Sequence, residues 1–176
     1  NPTVVVDAGA SKTYAAIVAE GAVKYYIETQ TAGDHIDFAI SDYIRNKYRI
    51  VVAPDVAENL KKMYVTLEPG HLEKQAEIVG TSALSGLPVK VTVRASELSM
   101  AALVPAMAIS NLVCDVFEKV AADYGDPAAA SPTVIVGGTA MLAGFAKFIA
   151  SETGVRAVVA DNPQACTAVG LAMGLG

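Results

Sequence analysis

The sequence predicts a three-layer α/β domain, with a mixed sheet flanked by helices and a smaller α+β lobe inserted between roughly residues 51 and 93. An apolar segment at the start ends in an acid and a small-residue turn, and a second apolar segment returns from it, as in a β-hairpin. Towards the carboxyl end, strand-like and helix-like segments alternate. Hydrophobic residues make up 53% of the 176 residues and charged residues 18%, so the chain can build a core and is not disordered.

Three strands are predicted to open the chain. Residues 3–6 and 14–19 pair across the turn at residues 7–13, and residues 23–29 form a third strand after the turn at Glu20 and Gly21. These strands form the hairpin-led part of the sheet.

Two helices are expected to follow the strands. Gly33 and Asp34 open the first, and Pro54 starts the second. In the first helix, apolar residues recur at helical spacing: Ile36, Ala39, Ile40, Tyr43 and Ile44.

The middle of the chain has a different composition. Residues 68–87 are rich in Gly, Ser, Thr and Glu, which predicts a short, partly solvated hairpin region leading into an alternating strand at residues 89–93. Ser96 is the expected N-cap of a long apolar helix that runs to about Tyr124.

The last third alternates between strand and helix. The predicted segments are a loop at 125–132, a buried strand at 133–136, a helix at 141–153 ended by Gly154, a strand at 155–159, a turn at 162–163 and a helix at 165–175. The whole order is therefore β-β-β-α-α-(β)-α-β-α-β-α.

Charge and aromatic content exclude one class of partner. The net charge is −5, the pI is about 5.0, and no Lys/Arg cluster is present, so nucleic acid is not the expected partner. The sequence has no Trp and 6% aromatic residues, which argues against an aromatic stacking platform.

Cysteine and histidine give no metal-binding pattern. Cys114 and Cys166 lie far apart in the sequence, which predicts reduced core residues in a cytoplasmic protein. Neither cysteine has metal-ligand spacing to another ligand, and His35 and His71 also lack such partners.

No transmembrane segment is expected. Residues 99–113 are apolar but short for a span, and Glu97 and Asp115 bracket them, which indicates a buried helix. The sequence shows no signal peptide and opens on a core strand at Asn1, so we expect a fragment or one domain of a longer protein.

Two glycine-containing turns are the candidate binding elements of this sequence. The turn DAGASKT at residues 7–13 offers backbone N–H groups and one carboxylate to a phosphate–metal pair, although an acid before such a turn is also common in plain turns. The stretch VIVGGTA at residues 134–140 has the same strand-then-glycine form. We expect these two distant corners to meet and form half of a nucleotide cradle.

These motifs resemble the second half of an actin-like ATPase of the actin–Hsp70–sugar kinase superfamily, and in particular the MreB-type bacterial actins. The resemblance covers nearly the whole chain. It rests on residues 7–13, on AGDHIDFAI and YIRNKY within residues 32–48, on AENLKK at 57–62, on VGGTAMLAGF at 136–145 and on the tail at 161–172.

The resemblance implies a ribonuclease H-like actin fold. Residues 1–50 and 94–176 would form a core subdomain of the IIA type, and residues 51–93 a small inserted lobe of the IIB type.

The resemblance also implies a site for ATP or ADP with Mg²⁺. Asp7 would hold the metal through water, and the implied nucleotide-binding residues are Asp7, Gly9, Lys12, Thr13, Gly33, Glu58, Lys61, Gly137, Gly138 and Thr139. No catalytic residue is assigned to this half.

Plainer roles remain open for several of these positions. Asp7, Gly9 and Thr13 could simply shape a turn, and Glu58 with Lys61 could form an i,i+3 surface pair. Gly137 and Gly138 could likewise only form a tight turn between strand and helix. Outside that set, Asp34 is expected to cap its helix, and Asp37 to be a solvated helix residue.

The first turn departs from the family pattern. Ala10 and Ser11 stand where glycines are usual, Lys12 replaces a Thr, Tyr14 replaces an acid, and Ala32 replaces the first Gly of a GGD motif. A positive φ at Ala10 or Ser11 would strain the turn by about 1 kcal/mol or more. Lys12 could instead neutralise phosphate charge.

The resemblance thus implies a cytoplasmic, bacterial actin-like filament protein that assembles head to tail with itself or a related filament. Residues 68–87 and 125–132 are the expected filament contacts. The alternative is a non-catalytic actin-like module, fused to another domain or serving as an adaptor. Half of a sugar or acid kinase is a third reading, against which GDHIDFAI and YIRNKY argue. Because the other half of the cleft is absent, we expect weak nucleotide binding and negligible hydrolysis from this chain alone.

Overall fold

A five-stranded mixed sheet forms the larger part of the molecule. The structure is a computed structural model that describes residues 1–68, 70, 73–127 and 131–174. The sheet has the order β3-β2-β1-β7-β8. Its strands are β1 Thr3–Ala8, β2 Thr13–Ala19, β3 Ala22–Thr29, β7 Ser131–Val136 and β8 Ala157–Val159.

The pairing of β1 with β2 follows the sequence prediction. β1, β2 and β3 are antiparallel neighbours, whereas β7 pairs with β1 in parallel and β8 pairs with β7 in parallel. β1 alternates strictly, with Val4, Val6 and Ala8 fully buried and the other face half-buried. The predicted mixed sheet is therefore confirmed.

Helices cover the buried face. α1 Gly33–Tyr48 buries Ile36, Ile40 and Ile44 along one face, and α3 Ala95–Tyr124 packs against α1 and against β2 and β3. α4 Phe145–Thr153 packs between α3 and β8.

The start of α3 differs from the prediction. Ser96 is not the N-cap, because the helix begins at Ala95 with Arg94 as the N-cap. The Glu97 carboxylate accepts a hydrogen bond of 3.4 Å from the Arg94 amide. Glu97 therefore supplies a side-chain acceptor at the start of the helix, where Ser96 was expected to supply one.

Among the described residues, α3 is also the one helix long and apolar enough to cross a membrane, with a mean hydropathy of 1.8 over its most apolar window. Half of that window is buried inside the protein, which agrees with the predicted core helix.

A second, three-stranded antiparallel sheet lies in the region predicted as the lobe. Its order is β4-β5-β6, with β4 Ile50–Val51, β5 Gln75–Ser82 and β6 Pro88–Arg94, and α2 Pro54–Tyr64 connects β4 to β5. The observed hairpin joins β5 to β6, which contains the predicted strand at 89–93, so it extends beyond residues 68–87 where a hairpin was expected, and β4 was not predicted. The division of the chain into core and lobe at residues 51 and 93 stays a prediction.

The predicted helix at 141–153 begins later in the structure. Gly138–Met141 is a single 3₁₀ turn, Leu142 is extended, and α4 Phe145–Thr153 starts only after Gly144, whose φ is +79°. Glycine is required there because a Cβ would lie 2.6 Å from the backbone nitrogen of Glu68.

The chain ends in α5 Cys166–Gly174, which has no buried residue. Residue 175, the last of the predicted helix at 165–175, lies outside the described residues, as do His71 and parts of both expected filament contacts, at 69, 71–72 and 128–130. Cys114 and Cys166 are free thiols and half-buried, less buried than expected for core residues. Within the described part of the chain, no three His, Cys, Asp or Glu side chains group as a metal site.

Candidate functional site

The first glycine turn closes without strain. The Gly9 amide donates to the Lys12 carbonyl at 3.1 Å, which fixes the bend between β1 and β2. Neither Ala10 nor Ser11 has a positive φ. The condition for strain at these two positions is therefore not met, and the turn accommodates residues other than glycine there.

The second glycine turn meets the first. β7 runs parallel to β1 with Val136 opposite Asp7, so both strands end at the same edge of the sheet. Gly137 has a φ of +90°, and a Cβ there would lie 2.3 Å from the Ala8 carbonyl oxygen. The predicted convergence of the two corners is confirmed, and the contact is close enough to require glycine.

The Gly9 carbonyl is the point where three elements join. It accepts hydrogen bonds from the Gly33 amide at 3.1 Å and from the Thr139 hydroxyl at 2.7 Å. Gly33 is itself tightly enclosed, since a Cβ would lie 2.8 Å from the Thr139 Oγ1 atom. The hairpin turn, the start of α1 and the 3₁₀ turn are thus joined by hydrogen bonds at one corner.

Asp34 does not cap α1 as expected. Ala32 is the N-cap, and no side chain caps the helix. Asp34 lies inside the first turn, and its amide donates to the Ala10 carbonyl at 2.7 Å. The hairpin turn therefore supplies the acceptors that a capping side chain usually provides.

α2 contributes a charged wall. The Lys61 ammonium donates to the Asp37 carboxylate at 2.7 Å and to the Gly33 carbonyl at 3.1 Å. Glu58 forms an ion pair with Lys62 at 2.6 Å. The Glu58–Lys61 surface pair that the spacing allows is therefore not formed, because each partner is engaged elsewhere.

Asp37 is not a solvated residue. Its side chain is 18% exposed, and that of Lys61 is 14% exposed. Burial raises the pKa of the Asp37 carboxyl above its ordinary value, although the Lys61 ammonium opposes this rise. The expectation failed because α2 packs over this face of α1.

These elements enclose a cleft of about 390 Å³. Six of the predicted residues line it: Gly9, Gly33, Glu58, Lys61, Gly138 and Thr139. The sequence did not predict the other lining residues, namely Ala10, Asp34, Asp37, Lys62, Met141, Leu142 and Gln164. All seven belong to the motifs quoted for the resemblance, so membership of those motifs was the signal in the sequence that could have identified them.

A smaller cleft of about 250 Å³ adjoins the first along the hairpin turn and includes Asp7 and Lys12 among its lining residues. The Lys12 ammonium is 2.9 Å from a Glu28 carboxylate oxygen, and this hydrogen-bonded partner raises the pKa of Lys12. Asp7 accepts a hydrogen bond of 2.9 Å from the Thr167 hydroxyl on α5. Gly9 and Ala10 line both clefts and connect them.

Thr13 lies apart from both clefts. Its side chain is fully buried in β2, and its hydroxyl donates to the Thr31 carbonyl at 2.8 Å. In this position Thr13 anchors the segment that leads into α1, and its predicted contact with phosphate gains no support from the geometry.

The chain is similar to a known family over nearly its whole length. The family model described as MreB/Mbl protein matches residues 1–175. The cell shape-determining protein Mbl of Bacillus subtilis (strain 168) is 30% identical over 166 residues, which are 94% of this chain and 50% of Mbl. The chain therefore spans about half the length of the curated relatives it matches.

Solved structures share the fold. MreB5 of Spiroplasma citri bound to ADP matches with a TM-score of 0.90 at 24% identity, covering 98% of this chain and 52% of that chain. The MamK double helical filament matches with a TM-score of 0.68 at 17% identity, covering 92% of this chain and 50% of that chain.

Proposed function

Because the chain belongs to the MreB/Mbl family of bacterial actin-like proteins, we propose that it supplies one wall of an ATP/ADP site in a cytoskeletal filament protein. The observation that carries this proposal is the joining of three elements at the Gly9 carbonyl, beside the cleft of about 390 Å³. The turns at Gly9 and Gly138, together with Lys61 and Lys62, give the polar contacts that a nucleotide needs along one side.

The lining residues suggest how a nucleotide lies in the cleft. Gly138 and Thr139 run under the adenosine, and Glu58 and Lys61 reach the ribose or the base. The phosphates extend past Gly9 towards the smaller cleft. The solved MreB5 structures contain ADP in one case and AMPPNP in the other, which supports this choice of ligand.

Asp7 fits a magnesium ion held together with the phosphates. Mg²⁺ is commonly bound through one or two carboxylates, several waters and substrate phosphates, so a lone acid at a strand end is a sufficient protein ligand. The Thr167 hydroxyl donates a hydrogen bond to the Oδ2 atom of Asp7. Bound there, the ion would neutralise phosphate charge, and Asp7 would hold it through water.

Assembly into filaments belongs to the same proposal. MamK, which shares the fold, forms a double helical filament, and head-to-tail contacts that do not close produce such polymers. A cytoplasmic location is part of this proposal. The similarity to cell shape-determining proteins does not favour the alternative of a non-catalytic interaction module.

Calorimetric titration of the 176-residue chain with Mg-ADP tests the nucleotide site. We expect a dissociation constant weaker than micromolar but no weaker than the millimolar range, because only one side of the ligand is covered. Glu58→Gln should weaken it by about tenfold, the effect of losing one charge-assisted hydrogen bond. Glu77→Gln, in the exposed Lys90–Glu77 pair of the β5–β6 hairpin, is the matched control and should bind like the wild type.

No heat at millimolar Mg-ADP would remove the nucleotide site from this chain. Sedimentation with and without Mg-ATP tests assembly separately. A species that stays monomeric at high protein concentration would count against self-assembly by this half alone.

A further inference from the structure

The seam between α1 and α2 holds an unusually enclosed ion pair. Asp37 lies on α1 and Lys61 on α2, with 2.7 Å between the carboxylate and the ammonium. Among the ion pairs of the described residues, it is the one in which both side chains are less than one-fifth exposed. Both side chains also line the cleft of about 390 Å³.

Lys61 is held at two points. Its ammonium has three donors, of which one goes to Asp37 and one to the Gly33 carbonyl at 3.1 Å. The third donor remains for a ligand. Because two bonds fix the nitrogen, this donor is placed before any ligand arrives, which lowers the entropy lost on binding.

Burying the Asp37–Lys61 pair costs free energy, and a gain in fold stability does not account for it. The Oδ1 atom of Asp37 is buried and has no hydrogen-bond partner in the described structure, and burial raises the pKa of the carboxyl. Buried ion pairs can often be replaced by apolar residues without loss of stability. Incompletely satisfied buried charges at the wall of a cleft indicate a functional constraint.

We propose that Asp37 is a positioning residue, which fixes the Lys61 ammonium against the Gly33 carbonyl so that its third donor meets the bound nucleotide. Asp37 acts through Lys61 and does not itself touch the ligand. This inference rests on the proposed nucleotide site and assigns a residue that the sequence placed in solvent.

Calorimetry with Mg-ADP on the 176-residue chain tests the effect on binding. Asp37→Asn should weaken binding by about tenfold, and Asp37→Glu should restore most of that loss because it keeps the charge. Asp42→Asn is the matched control, since Asp42 lies on the same helix and is hydrogen-bonded to Asn46 at 2.8 Å. It should leave the affinity unchanged.

A double-mutant cycle with Lys61→Met separates positioning from an independent role. If Asp37 acts through Lys61, the double variant should bind no more weakly than Lys61→Met alone. Losses that simply add would overturn the proposal, as would wild-type affinity in Asp37→Asn.

The side-chain ¹⁵N resonance of the Lys61 ammonium, identified by its absence in Lys61→Met, gives a readout without nucleotide. A doubly anchored, enclosed ammonium should exchange its protons slowly, and Asp37→Asn should abolish this protection. If Asp37→Asn does not fold, Asp37→Glu should still shift the resonance while Asp42→Glu leaves it in place. An unmoved resonance overturns the proposal. A wild-type chain that fails to bind Mg-ADP overturns the proposed function and with it the nucleotide contact of Lys61, whereas the resonance alone still tests whether Asp37 anchors Lys61.

Discussion

Gly137 is the residue on which the joining of the two turns depends most directly. Its φ of +90° is unfavourable for any L side chain, and a Cβ would also lie 2.7 Å from Oδ1 of Asp7. We predict that Gly137→Ala lowers the free energy of unfolding by about 3 kcal/mol, from backbone strain together with the clash. Urea denaturation followed by circular dichroism measures this loss.

Gly86 separates strain from clash. Its φ is +71°, but no atom lies within 4 Å of the position that a Cβ would take. Gly86→Ala should therefore cost about 1 kcal/mol, the strain alone. Equal losses in the two variants would mean that Gly137 is not in close contact with β1.

Glu97 gives the fold a pH dependence. Burial pushes the pKa of this carboxyl up, but the Lys47 ammonium, the Tyr48 hydroxyl and the Arg94 amide outweigh burial and leave the pKa below its ordinary value of 4.5. A carboxyl with a lowered pKa in the folded state stabilises it above the unfolded pKa, and the stabilisation disappears as the pH falls through the folded pKa.

We therefore predict that Glu97→Gln lowers the free energy of unfolding by about 1 kcal/mol at pH 7 and flattens its decline below about pH 4.5. Tyr48→Phe removes one donor to Glu97 and should flatten the decline only in part. Urea denaturation at a series of pH values measures both effects. An unchanged acid limb in Glu97→Gln would contradict the prediction.

The residues that the sequence located correctly are those whose position follows from strand order. Asp7 and Gly137 end neighbouring parallel strands, so their proximity needs only the pairing of β1 with β7. Thr13, in contrast, was predicted in the turn, but it begins β2 and shares a buried face with Ala15 and Ile17. Asp37 could not be placed, because its burial depends on how α2 packs across α1.

At the scale of elements, the Thr139 hydroxyl ties the 3₁₀ turn after β7 to the turn between β1 and β2. It is nearly buried and donates to the Gly9 carbonyl at 2.7 Å. We predict that Thr139→Val lowers the free energy of unfolding by about 1 kcal/mol without nucleotide, since one hydrogen bond is lost and the volume is kept. Thermal unfolding of the ligand-free chain measures it.

Thr139→Ser is the rescue variant, because it keeps the hydroxyl and removes only a methyl group. Stability close to that of the wild type is expected. If Thr139→Ser is as destabilised as Thr139→Val, packing of the methyl group and not the hydrogen bond joins the two turns.

Long periodic elements were predictable and short ones were not. The helical period of α1 and the apolar runs of β1 and β2 are visible in the sequence. β4 has two residues and becomes a strand only because β5 lies beside it. The predicted helix start at Met141 failed because Gly144 takes a left-handed conformation next to Glu68, which a periodic pattern does not report.

At the scale of the whole molecule, the predicted lobe is fastened to the core on several sides. Asp37 and Lys61 join α1 to α2, and the Leu67 amide donates to the Ala143 carbonyl at 2.9 Å. Buried residues of both regions also belong to one hydrophobic cluster. Movement of the lobe would therefore be felt directly at the walls of the cleft.

The chain nevertheless spans about half the length of its relatives, so we expect it to cover a bound nucleotide from one side only. Hydrolysis of ATP requires an oriented water and exclusion of bulk solvent. Among the described residues that line the smaller cleft, Asp7 is the only acid that could orient such a water. We predict that the 176-residue chain with millimolar Mg-ATP releases phosphate no faster than buffer, even under conditions in which Mg-ADP binds. A phosphate-release assay measures this rate, with Asp7→Ala as the comparison. Turnover above the buffer rate that disappears in Asp7→Ala would show that this half alone assembles a hydrolytic site.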